Sequence, residues 1–155
     1  MHDRSWSYRA MGFAARALAT SAVLAAPACG GGETPGDVVV EQGEAQVSQR
    51  GCPSCHQSSD AKDGVLSGQA APLAGTSIYG PNLTPDHDTG IGTWTDAQIL
   101  RAMREGLNDK GDPLCTTMPH FGVSDGDGQA IVAYLRSLAP VKRDIPASRC
   151  RGAGR

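Results

Sequence analysis

The sequence predicts a small all-α domain in which about three main helices are joined by long loops. Apolar residues recur with a helical period in three segments, and no segment shows the alternation of a useful β-strand. Only 5% of the residues are aromatic, so a domain of roughly 100 residues would have a thin core by itself. A large flat cofactor would fill such a core.

The first helix is predicted over Asp37–Arg50. Val40, Gly43 and Val47 share one of its faces, and Gly43 would allow another backbone to approach closely. The helix delivers the chain to the segment CPSCH, residues 52–56.

The second helix begins at Thr95, because Thr-Asp-Ala-Gln has the spacing of a capping box in which Gln98 reaches back to the cap. The third helix begins after Ser124, with Asp127 in the capping-box position, and ends at Pro140. Both helices carry an inner stripe with helical spacing: Ile99, Ala102, Met103 and Gly106 in the second, and Ile131, Tyr134, Leu135 and Leu138 in the third.

Residues 57–94 are rich in Gly, Pro, Asp and Thr and are predicted to form a loop. A loop of this length is uncommon unless something orders it, and wrapping around a cofactor would be such a reason.

The segment CPSCH has the pattern C-x-x-C-H, which indicates covalent attachment of a c-type haem. The thiols of Cys52 and Cys55 can add to the two vinyl groups of a porphyrin, and His56 can then give a neutral imidazole nitrogen to iron. A thioredoxin-like pair would need a βαβ context, which is missing. Zinc ligands usually come as two close pairs, whereas Cys115 and Cys150 lie far apart. One copy of the pattern predicts one haem.

Met118 is the predicted second axial ligand, and His120 is the alternative. Met118 lies in CTTMPHFG, which has no helical period, and Pro119 stiffens the chain beside it. Ligation by His and Met raises the reduction potential and suits electron transfer. Met103 lies on a helical stripe and is predicted to fill the core instead.

Residues 1–28 are predicted to be a secretory signal peptide. Three arginines precede an apolar stretch at residues 17–26, which is too short for a membrane span of about 20 apolar residues. Met11 begins a tidier signal and is an alternative start.

Cys29 follows the small residues of this signal, as the lipidated cysteine of a bacterial lipoprotein does. Ala26 stands where Leu is usual, so ordinary cleavage near Ala28, which would leave Cys29 a free thiol, stays open. Residues 29–37 are then predicted to be a flexible tether. A lipid on Cys29 would anchor the domain, in the periplasm or at the outer face of a bacterial membrane.

The charge of the chain argues against nucleic-acid binding. The net charge is −2, and without residues 1–28 there remain 11 basic and 15 acidic side chains. Nucleic-acid binding needs a basic face. The basic residues near the C-terminus are predicted to lie in a solvated tail: Lys142, Arg143, Arg149, Arg151 and Arg155.

These features together resemble class I cytochrome c domains, and the resemblance covers residues 38–140. A helix leads into CPSCH, a Met-Pro pair follows at residues 118–119, and a last helix carries VAYLRSL at residues 132–138. In that family the first and last helices cross at a glycine and an aromatic residue, and Gly43 and Tyr134 match those positions. The resemblance implies a cytochrome c fold wrapped around one covalent haem, in an electron carrier rather than an enzyme.

The segment from Gly80 to Gly106 (GPNLTPDHDTGIGTWTDAQILRAMREG) is similar to haem domains associated with bacterial dehydrogenases, including the cytochrome subunits of membrane alcohol dehydrogenases. This resemblance implies that the redox partners are a dehydrogenase or a terminal oxidase. Those subunits often carry several haems, whereas this chain has one C-x-x-C-H pattern. The resemblance therefore implies the type of domain and not the complex to which those subunits belong.

The family also implies a proline whose carbonyl accepts a hydrogen bond from the axial histidine. Pro72, in APLAG, fits that role best, and Pro81 is the alternative. Asn82 and Trp94 each have a side-chain N–H that could bond a haem propionate, although both suit turn or packing roles equally well.

Cys115 and Cys150 are expected to pair, because the cysteines of exported proteins usually form disulfides. Two free thiols are the alternative. A bridge would staple the C-terminal tail, residues 141–155, to the loop of Met118 and hold Met118 against iron. In the chain-entropy account it would contribute on the order of 3–4 kcal/mol.

The leading functional hypothesis is single-electron transfer outside the cytoplasm, with His56 and Met118 bound to iron in both oxidation states. A haem-based ligand binder or sensor is the second hypothesis and requires a labile or absent Met118 bond. A peroxidase is the third, and His120 is its sole obvious acid–base residue.

Overall fold

The computed structural model describes residues 34–150, so the predicted signal peptide, Cys29, Arg151 and Arg155 lie outside the described residues. Within that range the chain is helical and has no β-strand, only an isolated bridge between Leu107 and Pro113. The helices are α1 (Pro35–Gln49), α2 (Pro53–His56), a 3₁₀ turn (Ala61–Asp63), α3 (Asp96–Glu105) and α4 (Asp125–Ser137). The all-α prediction is confirmed. In the part of the chain described, none of these helices has the length and apolar character that a bilayer span requires.

Helix α1 begins two residues earlier than predicted because Thr34 caps it. The hydroxyl of Thr34 accepts a hydrogen bond from the Asp37 N–H at 3.3 Å, and the Asp37 carboxylate accepts one from the Thr34 N–H at 2.9 Å. Pro35 follows the cap, where a missing N–H costs nothing and the fixed φ suits the first turn. Residues 35–37 of the predicted tether are therefore helical.

The caps of α3 and α4 differ from each other. Thr95 and Gln98 form both bonds of the predicted capping box at the start of α3. At the start of α4 the Ser124 hydroxyl accepts a bond from the Asp127 N–H at 3.1 Å. The Asp127 carboxylate, however, lies 3.6 Å from the Arg50 guanidinium. The predicted box at α4 is thus only half formed, because Asp127 pairs with the end of α1 instead.

Helices α1 and α4 cross in direct backbone contact at Gly43. A Cβ atom at Gly43 would lie 2.0 Å from the Ala130 carbonyl oxygen and 2.7 Å from Tyr134 Cβ. No side chain fits there, because real Cβ contacts are far longer. Gly43 and Tyr134 therefore meet as the resemblance implied.

A Gly43→Ala substitution is expected to lower the free energy of unfolding by about 1–3 kcal/mol or more, because the added methyl forces α1 and α4 apart. Urea unfolding followed by circular dichroism measures this. Gly126→Ala in α4 is the matched control, since nothing lies within 4 Å of its added Cβ. The control should be neutral or stabilising by up to about 1 kcal/mol. Equal midpoints for Gly43→Ala and wild type would show that the crossing tolerates a side chain.

The core lies between α1, α3 and α4 and is completed by the long loop. Met103 is only 8% exposed, as its predicted core role requires, and Leu66 and Ile91 contribute from the loop. Val123, just before α4, also belongs to the core, and the helices contribute its remaining buried apolar side chains: Val47, Ile99, Ile131, Val132, Tyr134 and Leu135.

The segment after α4 runs along the long loop and contacts it, while the side chains of Lys142 and Arg149 stay exposed as the sequence predicts. We call residues 141–150 the strap. The Lys142 amine lies 2.8 Å from the Asp88 carboxylate, and Arg143 pairs with Asp63. These ion pairs place two of the basic residues predicted to be solvated against acidic partners on the loop.

Candidate functional site

A cavity of about 590 Å³ lies beside the core, and most of the side chains around it are apolar. Both helix α2 and the segment 113–121 after α3 contribute to its wall. The predicted haem-binding residues Cys52, Cys55, His56 and Met118 all line it. Its volume is in the ordinary range for cofactor and ligand sites.

Helix α2 brings the two thiols and the imidazole to the same wall. Gly51, with a φ of 70°, lets the chain turn out of α1. The Cys55 and His56 N–H groups then both donate to the Cys52 carbonyl, at 3.2 and 3.0 Å. Cys52 and Cys55 are unpaired and half-buried. Burial raises the pKa of Cys52, so its thiol is protonated at neutral pH.

His56 is oriented by the backbone of the long loop. The ring is 6% exposed, and Nδ1 donates to the Pro81 carbonyl oxygen at 2.8 Å. Burial lowers the pKa of His56, although the bond to Pro81 opposes that effect. In the neutral ring with the proton on Nδ1, Nε2 keeps the lone pair that a metal needs.

The assignment of Pro72 as the partner of His56 is wrong. Pro72 is exposed, and its alternative Pro81 holds the ring. The reason is Gly80, a residue missed in the sequence, whose backbone lies against Cys55. A Cβ atom there would be 1.7 Å from the Cys55 carbonyl oxygen. Only this close approach brings the next carbonyl to His56, and a glycine directly before Pro81 was the available signal.

The side chain of Asn82 forms hydrogen bonds within the long loop and to the strap. It is 2% exposed, and its amide N–H groups donate to Thr89 Oγ1 at 3.2 Å and to the Val141 carbonyl at 2.7 Å. Its Oδ1 accepts bonds from the backbone and hydroxyl of Thr84 at 2.9 and 2.8 Å. Asn82 also lines the cavity, but both of its donors are used within the fold, which favours the turn or packing role over a bond to a propionate. Trp94 lines the cavity and packs against the core.

Met118 sits in a turn between two anchored residues. Its N–H donates to the Cys115 carbonyl at 2.9 Å, while Leu114 bonds Gly106 at 2.7 Å and Phe121 bonds Met103 at 2.8 Å. Met118 is half-buried and lines the cavity. His120, the alternative ligand, is exposed and does not line it. The structure therefore puts the thioether, and not the second imidazole, on the cavity wall.

Cys115 and Cys150 are joined in a disulfide with a Cα–Cα distance of 5.2 Å, and both line the cavity. Neither is available as a metal ligand in that form. The described residues also contain no group of three or more His, Cys, Asp or Glu side chains placed to hold a metal ion. The disulfide argues against the zinc alternative, which needs both of these sulfurs as ligands.

The donor set around the cavity fits a covalently attached haem. Two thiols are available for thioether bonds, a neutral imidazole has its lone pair free, and a thioether sulfur lies elsewhere in the lining of the same cavity. The apolar lining would favour a large hydrophobic ring.

Comparison with known proteins gives the same result. A family model described as cytochrome c matches residues 40–139. The chain is 34% identical over 145 residues to a nicotinate dehydrogenase subunit from Pseudomonas putida, covering 92% of this chain and 12% of that protein. It is 36% identical over 122 residues to the gluconate 2-dehydrogenase cytochrome c subunit of Pantoea cypripedii, covering 71% and 27%. A diheme cytochrome c-type protein of Cereibacter sphaeroides is 33% identical over 114 residues, covering 65% and 38%. The chain spans less than two fifths of the length of each of these relatives.

Proposed function

Because the chain belongs to the cytochrome c family, we propose that it transfers single electrons through one covalent haem held by Cys52, Cys55, His56 and Met118. The observation that carries the proposal is that two free thiols, an imidazole with a free Nε2 lone pair and a thioether all line one cavity. The haem would supply a one-electron ferrous/ferric couple. The chain itself would make and break no substrate bonds, so it is an electron carrier and not an enzyme.

Cys52 and Cys55 would hold the cofactor by adding their S–H groups across two vinyl groups, which consumes no electrons. His56 would offer Nε2, because Nδ1–H is committed to Pro81. A hydrogen bond from a ligating imidazole to a carbonyl fixes the ring orientation and raises its basicity. Pro81 is therefore the residue that sets both the direction and the strength of the His56 ligand.

Met118 would close the other axial position. A thioether ligand and an apolar wall both favour the reduced iron and keep the potential positive. Trp94, on the same wall, remains the candidate donor to a propionate, through its indole N–H.

Replacing Met118 with alanine is expected to lower the reduction potential by on the order of 0.1 V or more, because axial ligands are the strongest control of haem potential. The ferrous variant should also bind carbon monoxide rapidly, since one iron position is open. Redox titration and stopped-flow mixing measure the two effects.

Val132→Ala is the control for Met118→Ala. Val132 is 4% exposed on α4 and does not line the cavity, whereas Met103 does, so the control should keep the wild-type potential. Two results would together favour the ligand-binding or sensor function instead. The wild-type protein would already bind carbon monoxide quickly, and Met118→Ala would leave the reduction potential unchanged.

A bacterial dehydrogenase is the proposed electron donor, and a terminal oxidase or its carrier the acceptor. Two of the relatives are named as dehydrogenase subunits, which supports a partner of that class. Because the chain matches only a part of these proteins, their substrates are not carried over to it.

The proposed location is outside the cytoplasm. Residues 1–28 would act as the export signal, and a lipid on Cys29 would hold the domain, about residues 38–140 with the strap, at a membrane surface. Covalent haem attachment to a C-x-x-C-H pattern is consistent with an exported protein.

A further inference from the structure

The strap joins the two walls of the cavity. The Ser148 hydroxyl accepts a bond from the Tyr79 N–H at 2.8 Å and donates to the Tyr79 carbonyl at 3.1 Å. The Arg149 N–H donates to the Ser77 carbonyl at 2.9 Å. These bonds fasten the strap to the chain just before Pro81, the residue that orients His56. Two residues after Ser148, the strap ends in the disulfide to the Met118 turn.

Apart from the disulfide, the Met118 turn, residues 115–120, is held at its two ends by the Leu114–Gly106 and Phe121–Met103 backbone hydrogen bonds, and the His120 ring lies against Gly106. Among the described residues, positions 115–120 make a single hydrogen bond, the internal one from Met118 N–H to the Cys115 carbonyl. Thr116, Thr117, Pro119 and His120 are exposed. The disulfide is therefore the one strong connection between this turn and the loop across the cavity.

We propose that Cys150, through the strap and its disulfide, is the positioning residue that keeps Met118 at the axial site. The inference rests on the proposed role of Met118 as a ligand. A turn that is also tied at Cys115 presents its side chain at a high effective concentration, whereas a turn fixed only at its two ends samples more conformations. Opening the bridge would leave an axial position available to small ligands.

The test compares carbon monoxide association to the ferrous holoprotein in the wild type and in Cys115→Ser/Cys150→Ser. Both cysteines are replaced so that no free thiol can bind iron. Association should be about tenfold faster or more in the variant, which corresponds to roughly 1.4 kcal/mol in the free energy of holding Met118. Hydrogen exchange of the Met118 amide should accelerate as well.

Val132→Ala controls for a general loss of stability. Val132 is 4% exposed and does not line the cavity, so this variant weakens the core while leaving the Met118 turn intact. Carbon monoxide association should stay at the wild-type rate. An acceleration equal to that of the double variant would overturn the positioning role.

Ser148→Ala tests the strap where the double variant does not fold. Ser137→Ala is its control, since the Ser137 hydroxyl also bonds a tyrosine carbonyl, that of Tyr134 at 2.7 Å. Ser148→Ala should accelerate association several-fold and Ser137→Ala should not. If Ser148→Ala and Ser137→Ala had equal association rates while Met118→Ala bound carbon monoxide rapidly, the positioning role of the strap would be overturned. The proposal that Met118 is a ligand would still stand. Rapid association already in the wild type would overturn both.

Discussion

Replacing both attachment cysteines, Cys52→Ser/Cys55→Ser, is expected to abolish covalent haem. A serine hydroxyl does not form the stable bond to the porphyrin that a thiol forms. Without that tether, a domain with so few large side chains would have to hold its cofactor by His56, Met118 and burial alone. The intact mass of protein matured in a host with a haem-ligation system, and haem staining after denaturing electrophoresis, measure the loss.

The Cys115→Ser/Cys150→Ser variant is the matched control, because it also loses two sulfur atoms but keeps the attachment motif. It should retain one haem per chain. A colourless wild-type protein from the same host would contradict the haem assignment, and a dithiol site would then have to be considered. The same mass measurement reports whether Cys29 carries a lipid.

Gly80→Ala is expected to be the most damaging single methyl group that the site can receive. Its Cβ would lie 1.7 Å from the Cys55 carbonyl oxygen and 2.5 Å from the carbonyl carbon. Since both atoms belong to backbone, the loop must move away, and the Pro81 carbonyl then leaves His56. We expect a loss of about 3 kcal/mol in the free energy of unfolding, from overpacking together with the lost buried hydrogen bond.

Thermal unfolding of the holoprotein measures the stability, and the reduction potential and ligand-field spectrum report on His56. Gly122→Ala is the control, because nothing lies within 4 Å of an added Cβ there and its φ is not left-handed. If Gly80→Ala kept both the wild-type potential and stability, the close approach to Cys55 would have no part in orienting the ligand.

Local chemistry was readable from the sequence. The pattern C-x-x-C-H places two attachment thiols and one imidazole within five consecutive residues, so no distant contact is needed to predict a haem site from it. The start of α3 was likewise predicted, because Thr95 and Gln98 satisfy each other within one turn. Gly43 and Tyr134 came from the family resemblance, and the crossing of α1 and α4 brings them together.

Predictions were less successful where two local explanations were equally good. Pro72 and Pro81 both follow the haem motif and both have a free carbonyl, and the choice between them depends on the approach of Gly80 to Cys55. Asn82 has the donors a propionate would need, but Thr89 and Val141 use them. A side chain's hydrogen-bonding capacity is visible in the sequence, whereas its partners are not.

The amino-acid order alone therefore predicted the helical class and the capping box at the start of α3, and it contains the haem-attachment pattern of residues 52–56. Only the tertiary structure decided which carbonyl orients His56, which groups the Asn82 side chain bonds, and that residues 141–150 lie along the long loop as a strap. The physical reason is sequence distance. His56 and Pro81 are 25 residues apart, and Asn82 and Val141 are 59 apart. Such pairs meet only when backbone packing brings them together.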